Sequence, residues 1–143
     1  MRSVDVNVLV YAHRSDAPDH EAFRAWLDGV RQGDEPLGVS DLVLSGFVRV
    51  VTHPRVFADP TPTELAWSFA AGVRASPATV RLAPGERHWD LFQRLCAATG
   101  ARGNQVTDAY LAALAIEVNA TWMTADRGFG RYPGLRWAHP LDR

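Results

Sequence analysis

The spacing of apolar residues along the chain changes between a helical period and a strand-like period. Each change marks the boundary of a predicted helix or strand. The most apolar stretch is residues 3–12, whose density of Val, Leu and Tyr predicts a buried first strand that passes into a first helical turn. Asp5 lies inside this run, with Asn7 two residues on as a candidate helix cap. Because an ionised carboxylate among apolar residues needs a cation nearby, Asp5 is either a ligand-binding group at a strand end or a residue facing solvent at a sheet edge.

Helical and strand-like periods then alternate to the end of the chain. Four-residue signals such as Thr61-Pro62-Thr63-Glu64, which resembles a capping box with Pro at the first helical position, mark helix starts. The predicted helices cover residues 22–34, 41–52, 62–75, 86–99 and 104–119, and the predicted short strands cover residues 38–40, 78–82, 121–124 and 135–137. Such alternation favours an α/β fold with a mainly parallel central sheet between helices.

The composition narrows the class of protein. The 143 residues suit one domain, spanning residues 1–143, and the single cysteine, Cys96, is expected to pack on a helix rather than form a disulfide. No stretch approaches the roughly 18 apolar residues of a membrane span, so we expect a cytoplasmic protein. All 15 basic residues are Arg, which excludes lysine-based phosphate binding and Schiff-base chemistry. A net charge of −1 gives no global basic field that would indicate nucleic-acid binding.

Three acidic residues are predicted to lie along one edge of the sheet. Asp5 is near the end of the first strand, Asp108 is near the start of a long helix, and Asp126 follows a late strand. Strand ends and helix starts gather at the carboxyl edge of a parallel sheet, where three carboxylates would repel one another. A hard divalent cation, Mg²⁺ or Mn²⁺, would remove the repulsion. Taken singly, Asp108 is more typical of a helix N-terminus and Asp126 of a turn, and only the three residues together, with Asp5 inside an apolar run, favour a functional site.

The order and spacing of these motifs resemble a PIN domain of the VapC toxin type. The resemblance covers nearly the whole chain, and each motif alone is weak. The matching segments are residues 4–9 (VDVNVL), 103–104 (GN), 107–109 (TDA), 111–115 (LAALA) and 124–129 (TADRGF), with 47–49 (FVR), 52–57 (THPRVF) and 132–137 (YPGLRW) typical of one subgroup.

The resemblance implies a three-layer α/β/α domain and a metal-dependent endoribonuclease acting on RNA. Asp5 and Asp108 would be metal ligands, and Asp126 a ligand or a water-orienting group; all three would be catalytic. Asn7 and Thr124 would hold the carboxylates in place. The implied cofactor is Mg²⁺, with Mn²⁺ as an alternative, and it would activate water for attack on a phosphodiester. The implied partners are a VapB-like antitoxin and a second copy of the chain in a homodimer.

One position departs from the resemblance. Many family members carry a Glu on the helix after the second strand, where this chain has Gly46. Asp41 is the candidate substitute, although five residues turn a helix by 140°, so it would have to reach in from the helix N-terminus. Two alternatives stay open. One is a PIN-like binding module that has lost catalysis, and the other is a phosphatase with an Asp nucleophile, which the Asn at position 7 and the lack of Lys disfavour.

Several other residues carry weaker functional interpretations. The five histidines have no metal-ligand spacing, and the five Trp residues are expected mostly in the core. Arg49 and Arg55 are candidate phosphate contacts, and Tyr132 and Trp137 are candidate stacking partners for a base. The apolar faces of residues 43–51 and 65–73 are the predicted groove for the antitoxin, with a basic residue of that partner near the carboxylates.

Overall fold

The protein is described here by a computed structural model covering residues 1–143. It contains five strands, six α-helices and one short 3₁₀ helix. In chain order these are β1 (Arg2–Val4), α1 (Val6–His13), α2 (His20–Gln32), β2 (Leu37–Ser40), α3 (Asp41–Val51), α4 (Thr63–Arg74), β3 (Thr79–Leu82), α5 (His88–Thr99), α6 (Asn104–Glu117), β4 (Thr121–Met123), the 3₁₀ helix (Arg127–Arg131) and β5 (Trp137–Ala138). None of the helices has the length and apolar character that a membrane crossing requires.

The five strands form one sheet in the order β3-β2-β1-β4-β5, and every pairing in it is parallel. Helix α1 packs against α2 and α3, α3 packs against α4, and α5 packs against α6, so the sheet lies between two helical layers. This confirms the predicted three-layer α/β/α architecture. Strands β1 and β4 are neighbours in register, with Val4 opposite Met123, so their carboxyl ends lie side by side.

The apolar first stretch passes from a strand into a helix, as predicted, but it is mostly helix rather than mostly strand. Strand β1 has only three residues, and α1 begins at Val6 because the Asp5 carboxylate caps it by accepting a hydrogen bond from the Val6 N–H at 2.7 Å. Asn7 therefore lies inside the helix and is not its cap. Helix α1 is buried on several sides, so its sequence lacks the polar face that would have revealed a helical period.

Helix α4 also begins differently from the prediction. It starts at Thr63, with Pro62 at the N-cap and no side-chain cap bond, so the predicted capping box does not form. The Thr61 hydroxyl is engaged elsewhere, by the His13 ring at 3.2 Å and the Arg14 guanidinium at 3.2 Å. Tertiary contacts to the end of α1 thus replace the local cap.

The core lies on both sides of the sheet and includes Phe47, Phe129 and Leu9 among its largest buried side chains. Cys96 packs against this core on α5, partly buried, as predicted. Three of the five tryptophans, Trp26, Trp122 and Trp137, lie in the core or pack against it, as expected for most of them. The other two are exposed: Trp67 is 58% exposed and Trp89 is 69% exposed. These two indole rings lie on the outer faces of α4 and α5, where the helical period alone does not distinguish an apolar core face from an apolar surface.

Candidate active site

The parallel pairing of β1 and β4 brings the first and third carboxylates together. Asp5 directly follows β1, and its N–H donates to the Met123 carbonyl of β4 at 3.0 Å. Asp126 follows β4 by three residues and caps the 3₁₀ helix, its carboxylate accepting from the Gly128 N–H at 2.8 Å. Both carboxylates are therefore helix caps at neighbouring strand ends, as the edge of a parallel sheet predicts.

The hydroxyl group of Thr124 connects the elements that carry these two residues. It donates to the second oxygen of Asp5 at 2.6 Å and accepts from the Asn7 side-chain amide at 3.3 Å and from the Asp126 N–H at 3.0 Å. The Asn7 carbonyl oxygen in turn accepts from the Ala125 N–H at 3.1 Å. One donor and two acceptor positions are all that a hydroxyl group offers, so Thr124 is fully used. The supporting role that the resemblance implied for Asn7 and Thr124 matches these contacts.

The second carboxylate comes from the other helical layer. Asp108 lies in the second turn of α6, half-buried, and its nearest cation is Arg131, with Nη2 at 3.6 Å from a carboxylate oxygen. Asp108 makes no hydrogen bond through its side chain to a backbone N–H, unlike Asp5 and Asp126. Its carboxylate is accordingly the least constrained of the three.

All three carboxylates line one cleft of about 360 Å³. The rest of its wall is mainly apolar and comes from α1, from α3 and from the loop between α3 and α4. The lining residues are Asp5, Val6, Asn7, Val10, Tyr11, Val50, Val56, Phe57, Asp108, Asp126 and Phe129. The cleft thus has an acidic side and an apolar side.

Burial and mutual repulsion change the acidity of two of these groups. Asp5 is only 6% exposed, and this burial raises its pKa to about 6, although the hydrogen bonds from Thr124 and Val6 favour its ionised form. Asp108 and Asp126 add to the rise through their negative charge. Burial also raises the pKa of Asp108, an effect that Arg131 opposes and Asp126 increases. Both shifts arise mainly because burial removes water from the ionised carboxylates, and the repulsion between the carboxylates adds to this effect.

The donor set fits a hard divalent cation. Neither Asp5 nor Asp126 forms a salt bridge, and Arg131 is the only cationic side chain paired with any of the three carboxylates. Carboxylate oxygens are the ligands that Mg²⁺ and Mn²⁺ prefer. No group of three or more His, Cys, Asp or Glu side chains is drawn together tightly enough to form a ready-made metal cluster, in this cleft or elsewhere. A cation would therefore have to draw the carboxylates closer.

Asp41 does not replace the missing Glu, and that expectation was wrong. Its carboxylate is paired with Arg74 at 3.2 Å and with Arg81 at 3.1 Å, on exposed surface beside α4 and β3. A Cβ atom at position 46 would lie 2.9 Å from a methyl carbon of Val6. The place that a side chain would take at position 46 is thus occupied by Val6 of α1.

Two residues considered for base stacking are placed differently from that expectation. Tyr132 is buried, and its hydroxyl group donates to the Gln105 carbonyl at 3.2 Å, so its ring has no free face for a base. Trp137 is partly buried, with its indole nitrogen against Gly130. Neither residue lines the cleft, and neither do Arg49 and Arg55, which lie on exposed surface.

Three aromatic residues line the cleft, Tyr11, Phe57 and Phe129, and none of them was predicted from the sequence to contact a base. Phe57 belongs to the Pro-rich loop between α3 and α4. The Arg14 guanidinium lies 4.0 Å from the centre of its ring and also donates to the Asp59 carbonyl at 2.8 Å. The sequence indicated that this proline-rich loop is ordered, but it did not indicate that the loop lies beside Asp5.

Comparison with known proteins agrees with this geometry. A family model described as PIN domain matches residues 3–135. Ribonuclease VapC43 of Mycobacterium tuberculosis is 54% identical over 142 residues, which cover 99% of this chain and 97% of that protein. Ribonuclease VapC25 of the same species is 38% identical over 137 residues, or 96% of each chain. The chain therefore belongs to the PIN-domain family and, within it, to the VapC ribonucleases.

Solved structures show the same fold at low sequence identity. The VapBC2 structure from Rickettsia felis, bound to a promoter DNA fragment, matches with a TM-score of 0.69 at 19% identity, covering 96% of this chain and 97% of that one. VapBC-1 from nontypeable Haemophilus influenzae matches with a TM-score of 0.70 at 14% identity, covering 99% and 98%.

Proposed function

We propose that this protein is the toxin of a VapBC-type toxin–antitoxin pair and acts as a Mg²⁺-dependent endoribonuclease. The observation that carries the proposal is the cleft in which the buried Asp5 faces Asp108 and Asp126 with only one cationic side chain among them. Membership of the VapC ribonucleases supplies the reaction class, hydrolysis of RNA phosphodiester bonds.

Each residue has a role that follows from its contacts. Asp5, Asp108 and Asp126 would hold the cation, and Thr124 with Asn7 would keep Asp5 and Asp126 oriented toward it. When bound, Mg²⁺ or Mn²⁺ supplies a water of lowered pKa and a positive charge next to the phosphate. Because the protein leaves the cleft negative, RNA phosphate is repelled from it until that charge is compensated.

The apolar side of the cleft suits an unpaired nucleobase. Tyr11, Val56 and Phe57 line the cleft together with the carboxylates, and Arg14 holds the loop that carries Phe57. Bases that are not stacked in a duplex can pack on such side chains in a sequence-tolerant way. These contacts support single-stranded RNA as the substrate.

The proposed partners are a VapB-like antitoxin and a second copy of this chain. The structural neighbours named VapBC are pairs of this kind, which supports the antitoxin. Since the acidic cleft attracts cations, an antitoxin Arg or Lys near Asp5 and Asp108 would block the site as a counter-charge. Sedimentation of the purified toxin over a range of concentrations tests the homodimer.

Asp108→Asn tests the proposed activity. The substitution keeps the shape of the side chain and removes one charge from the cleft, so we expect at least a hundredfold loss of Mg²⁺-dependent cleavage of a single-stranded RNA. Asp90→Asn is the matched control, because Asp90 is exposed on α5 and outside the cleft. Circular dichroism should show both variants folded.

The same assay distinguishes an enzyme from a catalytically weakened binding module. Equal cleavage by the wild type and Asp108→Asn would assign the activity to another site or to a contaminant. RNA binding by the wild type without cleavage in Mg²⁺ or Mn²⁺ would favour the binding module, for which Gly46 is the structural argument.

A further inference from the structure

Arg131 is the one cation inside the carboxylate group, and its contact there is loose. Its Nη2 atom is 3.6 Å from Asp108, beyond hydrogen-bond distance, and the side chain is 36% exposed. The guanidinium carbon lies 5.2 Å from the centre of the buried Tyr132 ring. A Cβ atom on Gly128 would lie 2.9 Å from an Asp126 oxygen and 3.6 Å from Arg131 Nη2, so the guanidinium borders Asp126 as well.

Arg127, at the other end of the same 3₁₀ helix, has a very different environment. Its guanidinium makes two hydrogen bonds to Asp142, at 2.9 and 3.1 Å, in the bidentate geometry that holds an Arg in place. Arg127 is 62% exposed and pairs with none of the three cleft carboxylates. One short helix therefore carries a fixed, paired arginine and a loosely held arginine beside Asp108.

We propose that Arg131 is the built-in counter-ion of the cleft: it competes with the metal ion for Asp108 and, once displaced, binds a phosphate of the RNA. This rests on the proposed function, because it names how that site takes its metal and its substrate. The charge balance supports it. Three carboxylates and one guanidinium leave a net charge of −2, and a divalent cation bound beside Asp108 would meet a like charge until Arg131 moves.

The displaced side chain remains within reach of the substrate. An arginine stem is long and flexible, and the partly exposed guanidinium beside Asp108 can bind a phosphate in a bidentate manner. The guanidinium carbon lies within cation–π distance of the Tyr132 ring, which is fixed by the hydrogen bond of its hydroxyl group to Gln105, so the stem of Arg131 is held close to the cleft while its contact with Asp108 stays loose.

The proposal predicts effects of opposite sign on two ligands. Arg131→Gln should bind Mn²⁺ about three- to tenfold more tightly than the wild type, measured by isothermal titration calorimetry without RNA. The same variant should bind a fluorescent single-stranded RNA five- to twentyfold more weakly in Ca²⁺, measured by anisotropy. The slope of log K against log salt should fall by about 0.7, as expected for the loss of one single-strand phosphate contact.

Arg127→Gln is the matched control, since it removes the same charge from the same helix; we expect wild-type affinity for both ligands. Arg131→Lys keeps the charge and should bind Mn²⁺ with wild-type affinity. If Arg131→Gln weakens both ligands, Arg131 has a merely structural role, and unchanged affinities would also overturn the proposal. A wild type that binds neither Mn²⁺ nor RNA would overturn the proposed function itself and this inference with it.

Discussion

Asp5 shows how one carboxylate can be structural and functional at once. One of its oxygens caps α1, and the other accepts a hydrogen bond from the Thr124 hydroxyl group. The residue therefore stabilises the junction of β1 with the helix. Burial nevertheless raises its pKa to about 6, because hydrogen bonds do not fully replace the water that a carboxylate loses. The ionised form is therefore destabilising until a cation binds.

The pH dependence of stability follows from this shift. A carboxyl group with a pKa near 6 in the folded state and 3.8 in the unfolded state binds protons more readily when folded. Its contribution to stability is fully present below pH 3.8 and is lost as the pH rises through 6. In EDTA, the wild type should therefore lose about 2–3 kcal/mol between pH 4 and 7.5 relative to Asp5→Asn, measured by urea unfolding.

The pKa of Asp108 is also raised, so Asp108 changes the stability of the wild type with pH in the same direction as Asp5. The contribution of Asp5 is therefore obtained by comparing the wild type with Asp5→Asn. Asp90→Asn should keep the wild-type dependence on pH. Addition of Mg²⁺ at pH 7.5 should restore to the wild type the stability that it loses in EDTA between pH 4 and 7.5. Parallel curves for the wild type and Asp5→Asn over this range would show that the pKa of Asp5 is not raised.

At the scale of elements, Gly46 permits the close approach of α3 to α1. Its missing side chain leaves room for Val6, whose methyl carbon would lie 2.9 Å from a Cβ atom. Valine is stiff about its first side-chain bond and cannot turn away freely. The departure from the family's Glu is thus a packing arrangement beside Asp5, and not only the loss of one carboxylate.

Gly46→Ala should therefore destabilise the protein by about 1–2 kcal/mol in urea unfolding, although alanine favours a helix by roughly 1 kcal/mol over glycine. Gly29→Ala is the matched control, because Gly29 is inside α2 with nothing within 4 Å of its Cβ position. It should stabilise the protein by about 0.5–1 kcal/mol. Val6→Ala should relieve the effect of Gly46→Ala in the double variant, and a Gly46→Ala protein as stable as the wild type would contradict the close contact.

Most elements could be predicted from the sequence because their periodicity and end signals are local. Ser40 caps α3, with its hydroxyl oxygen accepting from the Val43 N–H at 3.1 Å, and Gly100 ends α5 in the left-handed conformation at φ 63°. The β1–α1 boundary could not be predicted, since α1 is too buried to show a polar face. The capping box at Thr61 failed because His13 and Arg14, far away in sequence, bind its hydroxyl group.

At the scale of the whole molecule, the acidic side of the cleft was predictable and the rest was not. Asp5, Asp108 and Asp126 each follow a strand or begin a helix, and parallel topology places such residues at one edge. Phe57 lies in a loop and Arg131 in a 3₁₀ helix. The positions of these two segments depend on tertiary contacts, which cannot be predicted from the spacing of apolar residues along the sequence. Asp41 was a candidate to replace the missing Glu because of its charge alone. Its ion pairs with Arg74 and Arg81, which are distant in sequence, could not be predicted.

The whole molecule also presents a second recess, between α3 and α4, which refines the predicted antitoxin groove. The apolar faces named from the sequence are mostly core. The recess of about 460 Å³ is lined by Asp41, Leu44, Ser45, Trp67, Ala70, Ala71 and Arg74, of which Leu44 and Ala70 are buried. Trp67 is 58% exposed there, beside an arginine that is already paired. A large exposed aromatic ring at an apolar recess is the usual anchor of a protein interface.

Trp67→Gln should therefore weaken binding of the proposed VapB-like antitoxin by at least tenfold in titration calorimetry. RNA cleavage should stay at the wild-type level, since Trp67 is outside the acidic cleft. Trp89→Gln changes the other highly exposed tryptophan, on α5, and should leave antitoxin affinity unchanged. In cells, co-expression of the antitoxin should relieve growth arrest by the wild type and by Trp89→Gln, but less well by Trp67→Gln. Equal relief of all three, or equal affinity in vitro, would place the antitoxin on another face of the toxin.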